Sequence, residues 1–200
     1  YTLSVTKQQT TSDNLSLEEL ITNRGELMPI FNPDTLNYEL TVENDITDIT
    51  ISATAFNENV QIIGEGTYNL KVGKNGIAVF VIGESGVQKD YQIVVTRKKS
   101  TDASLARLVV KGHTLSPKFN SNTDTYSLNT SKELLEFTTI KPTEEEATYE
   151  VIGNQDFVKG ENIVTIRLTA PDRETTKYYV LNFYKEASKN NNLASLRVVD

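Results

Sequence analysis

The stretch Leu27-Met28-Pro29-Ile30-Phe31-Asn32 returns as Leu115-Ser116-Pro117-Lys118-Phe119-Asn120, and Tyr38 returns as Tyr126, all displaced by 88 positions. One register shared by several residue types marks a repeated structural unit. Upstream, Leu17 and Leu20 are echoed by Leu105 and Leu108, and a further 88 positions lead to Leu193 and Leu196. Downstream, Gly73-Lys74-Asn75 with Ile77, Val79 and Val81 is matched by Gly160-Glu161-Asn162 with Val164, Ile166 and Leu168, now displaced by 87. The segment Tyr91 to Arg97 then corresponds to Tyr179 to Lys185, and Tyr1 to Lys7 reads as a third copy. The 200 residues are therefore expected to hold the last strand of a preceding repeat (1–8), two full repeats (12–98 and 101–187) and the first strand of a following one (190–200).

Within each repeat the apolar residues alternate with polar ones, the period of a strand with one buried face. Ile49, Ile51, Ala53 and Ala55 alternate with Thr50, Ser52 and Thr54, and Tyr91, Ile93 and Val95 keep the same period. For the first repeat this predicts seven strands, near 15–22, 37–42, 46–56, 59–63, 67–71, 77–82 and 90–96. Gly83-Glu84-Ser85-Gly86 and Ala170-Pro171-Asp172-Arg173-Glu174 read as hairpin turns into the last strand of each repeat. A helical turn at Leu15 to Ile21 has an acidic start in its favour, but the counterpart Leu105 to Val110 ends in β-branched residues, so a strand is expected. The expected fold is all-β: two tandem seven-stranded antiparallel Greek-key sandwiches.

Composition narrows the chemistry. With no Cys, no Trp, one Met and one His, the chain lacks the parts for a disulfide scaffold, a structural zinc cluster or a histidine-based nucleophilic centre. A formal net charge of −7 opposes a duplex nucleic-acid groove, and no apolar run approaches the roughly 20 residues that span a bilayer. No catalytic residue, metal ligand or cofactor is expected.

Paired Leu at the start, Leu-x-Pro-x-Phe, a Tyr opening a strand, Gly-x-Asn followed by alternating aliphatics, and Tyr-x-aliphatic-x-aliphatic at the close together resemble the bacterial cadherin-like β-sandwich repeat. The resemblance covers both repeats and both partial ends. It implies Ig/cadherin-like sandwiches in tandem in secreted or surface proteins, beside S-layer, fibronectin type III, cell-wall-binding and glycoside hydrolase modules. It implies an extracellular location at the bacterial cell surface or cell wall. Implied partners are neighbouring repeats of the same chain and cell-wall or host glycans or surface proteins.

Calcium does not follow from that likeness, because the junctions carry Lys98-Lys99 and Lys189 where carboxylates would be needed. Asp172-Arg173-Glu174 is read as a solvated turn, and the cluster Glu43-Asn44-Asp45 with Asp48 is not repeated in its counterpart Ser131-Lys132-Glu133. His113 replaces Gly25 in a loop and is given no repeated role. A Lys111 to Asn182 isopeptide is disfavoured by alternation, which turns Asn182 away from the core. Should the chain bind glycans, Tyr178 and Tyr184 are the candidate platform, since alternation places them outward on the last strand. The acidic loop after Pro142, with Glu144 and Glu145, is the candidate contact surface for a glycan or protein.

The expected function is a non-catalytic tandem spacer or adhesion module of a larger surface protein. The alternative is a carbohydrate- or protein-binding module, including one accessory to a surface glycoside hydrolase. Strands of six to ten residues at about 3.3 Å each give sandwiches about 30 to 40 Å long with their loops, so two in line predict a rod of about 70 to 80 Å. Small-angle scattering should return that maximum dimension, and a compact globule would contradict it.

Overall fold

In a computed structural model, which describes residues 14–186, every regular element is a strand. The contacts divide the chain between Lys99 and Ser100 into two compact units, each with its own core. The expected strands at 1–8 and 190–200 lie outside the described residues.

The first unit contains β1 (Leu17–Thr22), β2 (Asn37–Val42), β3 (Asp48–Ala55), β4 (Gln61–Ile63), β5 (Gly66–Asn69), β6 (Gly73–Ile82) and β7 (Gln88–Arg97). Two sheets form, ordered β1-β3-β5 and β2-β7-β6-β4. Alternation decides which residues meet between them: Leu17, Leu20, Ile49 and Ile51 come from one sheet, and Tyr38, Leu40, Val79, Val81, Ile93 and Val95 from the other. Ala53 and Ala55 pack against the core beside Leu20 and Leu17 but are only partly buried; β5 flanks β3 only as far as Ile51. The Gly83–Gly86 turn closes the β6–β7 hairpin, with Gly83 N–H bonded to the Val87 carbonyl at 2.9 Å.

The second unit contains β8 (Leu105–Val110), β9 (Thr125–Thr130), β10 (Phe137–Pro142), β11 (Thr148–Ile152), β12 (Gly160–Thr169) and β13 (Thr176–Lys185). Its sheets are ordered β10-β8 and β11-β12-β13-β9. The expectation of seven strands fails here: six form among the described residues, and none corresponds to β5. Nine residues separate β4 from β6, but only seven separate β11 from β12, too few to form a strand against β10 and return. Asn154 takes over part of the missing pairing. Its carboxamide accepts from Leu135 N–H at 2.8 Å and donates to the Leu135 carbonyl at 2.9 Å, as a strand backbone would. Phe157 then fills the position of Leu70 and meets Phe183 edge-on at 4.6 Å, where the first unit has Val95.

The expectation of wholly antiparallel sheets also fails. The pairs β2–β7 and β13–β9 are parallel, with Asn37–Val42 beside Gln92–Arg97 and Thr125–Thr130 beside Val180–Lys185. A parallel pair needs a long crossover, and the excursion of the chain through the opposite sheet supplies it. Alternation is blind to strand direction, so the sequence pattern could not reveal it.

The Leu-x-Pro-x-Phe motif builds the same knot in both units. Phe31 lies between Tyr38 and Tyr91, with ring centroids at 6.0 and 6.5 Å, and Phe119 lies between Tyr126 and Tyr179 at 5.9 and 6.5 Å. The Tyr91 hydroxyl accepts from Leu17 N–H at 3.1 Å and donates to the Pro33 carbonyl at 2.9 Å. Tyr179 repeats this with Leu105 N–H at 3.0 Å and the Ser121 carbonyl at 2.9 Å. Tyr38 and Tyr126 each close a loop by bonding both backbone groups of one residue, Asn32 and Asn120.

Gly73 and Gly160 begin β6 and β12 at φ of 91° and 107°, a conformation open to glycine and costly for other residues. The following Asn75 and Asn162 bind both backbone groups of Lys71 and Val158, respectively, and fix the entry to the strand.

Because Tyr91 and Tyr179 are fully buried, Tyr91→Phe or Tyr179→Phe strands the backbone N–H of Leu17 or Leu105 inside its unit, while the Pro33 or Ser121 carbonyl keeps its bond from Lys89 or Lys177. Each should cost about 1 to 3 kcal/mol in urea unfolding. A change indistinguishable from zero would show that the hydroxyl bridge contributes nothing.

Candidate functional site

The outer face of the sheet β11-β12-β13-β9 carries the expected tyrosines. Along β13, Tyr179, Leu181 and Phe183 are buried, which turns Tyr178, Val180, Asn182 and Tyr184 outward. Tyr178 and Tyr184 are 49% and 50% exposed, so the expected orientation is right. They do not form one platform. Six residues along a strand separate them by roughly 20 Å. Tyr178 stands beside Arg167, whose guanidinium is paired with Glu150 at 2.7 Å.

Around Tyr184 the register assembles a polar setting. Asn129 of β9 and Glu161 of β12 are its direct neighbours on either side, and one row further Ser127, Asn182 and Ile163 lie side by side. These residues line an open depression of about 580 Å³. Ile163 is 61% exposed and forms its apolar rim. No hydrogen bond or ion pair engages the side chains of Ser127, Asn129, Glu161, Asn182 or Tyr184 among the described residues. The first unit has Thr41, Thr96 and Lys74 in the row of Tyr184, and Glu39, Val94 and Gly76 in the next. Alternation identifies Tyr184 from sequence alone. Its companions Asn129 and Ser127 escape that reading because they reach it through the parallel β9–β13 pair.

The acidic loop is less free than expected. Glu144 is half-buried and accepts from the Ser100 hydroxyl at 3.1 Å, and Thr143 is bonded to Ser104 through both backbone and side chain. Glu145 is exposed. Glu144 thus fastens the loop, and the two carboxylates are not presented as a pair.

The other candidates are placed as follows. Glu43 pairs with Lys98 at 2.5 Å, and the Asn44 carbonyl accepts from the Arg97 guanidinium, so basic residues occupy the first oxygen cluster. Among the described residues, no group of three or more His, Cys, Asp or Glu is arranged to hold a metal. His113 Nδ1 lies 2.8 Å from the Lys111 carbonyl in its loop. Lys111 is bonded to Glu136 at 2.5 Å, which raises its pKa, while Asn182 faces outward on the other sheet.

Residues 12–98 match the family described as Cadherin-like beta sandwich domain. A protein of Evansella cellulosilytica named "Putative membrane protein" is 32% identical over 100 residues, covering 45% of this chain; the chain spans only 15% of that relative's length. Among solved structures, mouse cadherin-23 EC22-24 has 9% identity and a TM-score of 0.33, covering 80% of this chain and 66% of its own. Drosophila N-cadherin EC1-4 has 10% identity and a TM-score of 0.30, covering 76% and 48%. Likenesses this loose carry no argument about function. No helix among the described residues is long and apolar enough to cross a membrane.

Asp172 does local work. Its carboxylate accepts from the Thr175 hydroxyl at 2.6 Å and from the N–H groups of Thr175 and Glu174 at 2.9 and 3.0 Å. Those bonds, the Thr175 hydroxyl foremost, hold its pKa below the ordinary 3.8. A depressed carboxylate pKa adds stability above the unfolded value and loses it as the pH falls through the folded value. Asp172→Asn should therefore lower Tm at pH 7, with the difference closing below pH 3.8 in thermal melts. A gap that does not depend on pH would contradict this account of the turn.

Proposed function

With residues 12–98 a cadherin-like β-sandwich, we propose that the chain is a non-catalytic tandem spacer of a larger extracellular protein, holding other modules away from a bacterial surface under tension. The second unit repeats the first in register and in its tyrosine bridges, which supports reading both as copies of one building element. The match to a bacterial protein named "Putative membrane protein" supports the surface location.

The observation that carries this reading is the parallel seam. In the first unit β7 leads out toward the C-terminal end, while β2 lies near the start of the unit and runs in the same direction. Tension along the chain enters at β1 and leaves at β7; once β1 is drawn off β3, it pulls β2 toward its N-terminus and β7 toward its C-terminus. The seam is then loaded in shear, and its hydrogen bonds must yield together rather than one after another. Gln92 N–H to the Leu36 carbonyl at 2.6 Å and Lys98 N–H to the Val42 carbonyl at 2.9 Å mark its two ends. Val180 to Asp124 at 2.7 Å and Glu186 to Thr130 at 3.1 Å mark those of the second seam.

Single-molecule pulling should give two separate unfolding events, each releasing roughly 300 Å of chain for about 88 residues. Lys98→Pro removes the last seam donor of the first unit at an exposed position and should lower the force of one event only. Unfolding without resolved peaks, or forces untouched by Lys98→Pro, would contradict the spacer reading.

A further inference from the structure

We propose that the depression around Tyr184 on the second unit is a binding subsite for a neutral saccharide. A half-exposed aromatic ring offers a flat apolar face to the C–H side of a pyranose, and polar groups at its margin orient the hydroxyls. Here the ring stands between the Asn129 carboxamide and the Glu161 carboxylate, its nearest cross-strand neighbours at roughly 5 Å between Cβ atoms. Asn182 and Ser127 add an amide and a hydroxyl one row along, about 7 Å away. These four side chains supply both donors and acceptors, and no intramolecular bond occupies them among the described residues.

Charge selects the ligand. The lining holds one carboxylate and no cationic side chain, so an anionic ligand would meet repulsion without a compensating partner. A cationic ligand would find only one exposed carboxylate, worth little in water. A neutral polyhydroxylated ring matches what remains. The open depression of about 580 Å³ lies in the usual range of ligand sites and leaves room for a chain to run through. The sandwich itself does not require this arrangement, since the first unit carries Thr96, Val94 and Lys74 in place of Tyr184, Asn182 and Glu161.

The test uses the whole 200-residue chain, ¹⁵N-labelled and titrated separately with cellohexaose, chitohexaose and mannohexaose to about 5 mM, the scale on which a single shallow subsite is read. At least one of them should shift the amide signals of Asn129, Glu161, Asn182 and Tyr184 with saturation. Tyr184→Ala should weaken that binding about tenfold or more while Tyr184→Phe, which keeps the ring, stays within about threefold. Tyr178→Ala, roughly 20 Å along the strand, should leave it unchanged. Spectra of the free variants report whether each is folded. The proposal is overturned if none of the three sugars shifts those signals, if heparin hexasaccharide shifts them more strongly, or if folded Tyr184→Ala binds as the wild type does.

Discussion

The structure of each unit depends on one buried hydroxyl. Tyr91 and Tyr179 sit in the middle of the last strand, fully buried, and their phenol oxygens join a backbone N–H of the first strand to a carbonyl of the loop after Leu-x-Pro-x-Phe. Those three segments belong to different parts of the fold. A sandwich of about 88 residues buries little more than 60% of its unfolded surface, so its margin is thin. Without a disulfide, the two sheets are held in register by side-chain packing and by this bridge. Lys89 and Lys177 reinforce it from the rim, each lying over its tyrosine ring, at 5.2 and 5.0 Å, and bonded to the same carbonyl as the hydroxyl.

The remaining features are arranged around that bridge. The second strand joins the free side of the last strand in parallel, and this seam is the element proposed to resist tension along the chain. The units differ in the core, where Phe157 and Phe183 replace Leu70 and Val95, and on the outer face of the sheet as well. That is where the second unit carries Tyr184 and its polar neighbours. The proposed spacer role and the proposed sugar subsite are compatible on one sandwich, because the seam consists of backbone bonds between strands and the subsite of side chains on the outer face.

The repeat, the strand positions and the core residues were legible in the sequence because each rests on a period. Seven strands are expected in the first unit near the places where they form, and the outward turn of Tyr178 and Tyr184 follows from the same alternation. What stayed hidden depends on partners far apart in the chain. The parallel seams could not be read from alternation, and with them the meeting of Asn129 with Tyr184. The loss of a strand between Ile152 and Gly160 depends on a loop two residues shorter and on the Asn154 side chain bonding to Leu135. The fastening of Glu144 to Ser100 was equally out of reach, since acidic composition alone reads as a free surface.

Native-state hydrogen exchange at the amides of Leu17 and Leu105 tests the central claim most directly, because those two N–H groups are the donors to the buried tyrosine hydroxyls. If the bridges hold the units together, both amides exchange only through global unfolding of their own unit, with protection equal to its full unfolding free energy. If they exchange by local fraying of the first strand, well ahead of the core amides of Ile93 and Leu181, the bridge is an ornament of the fold and not its fastening.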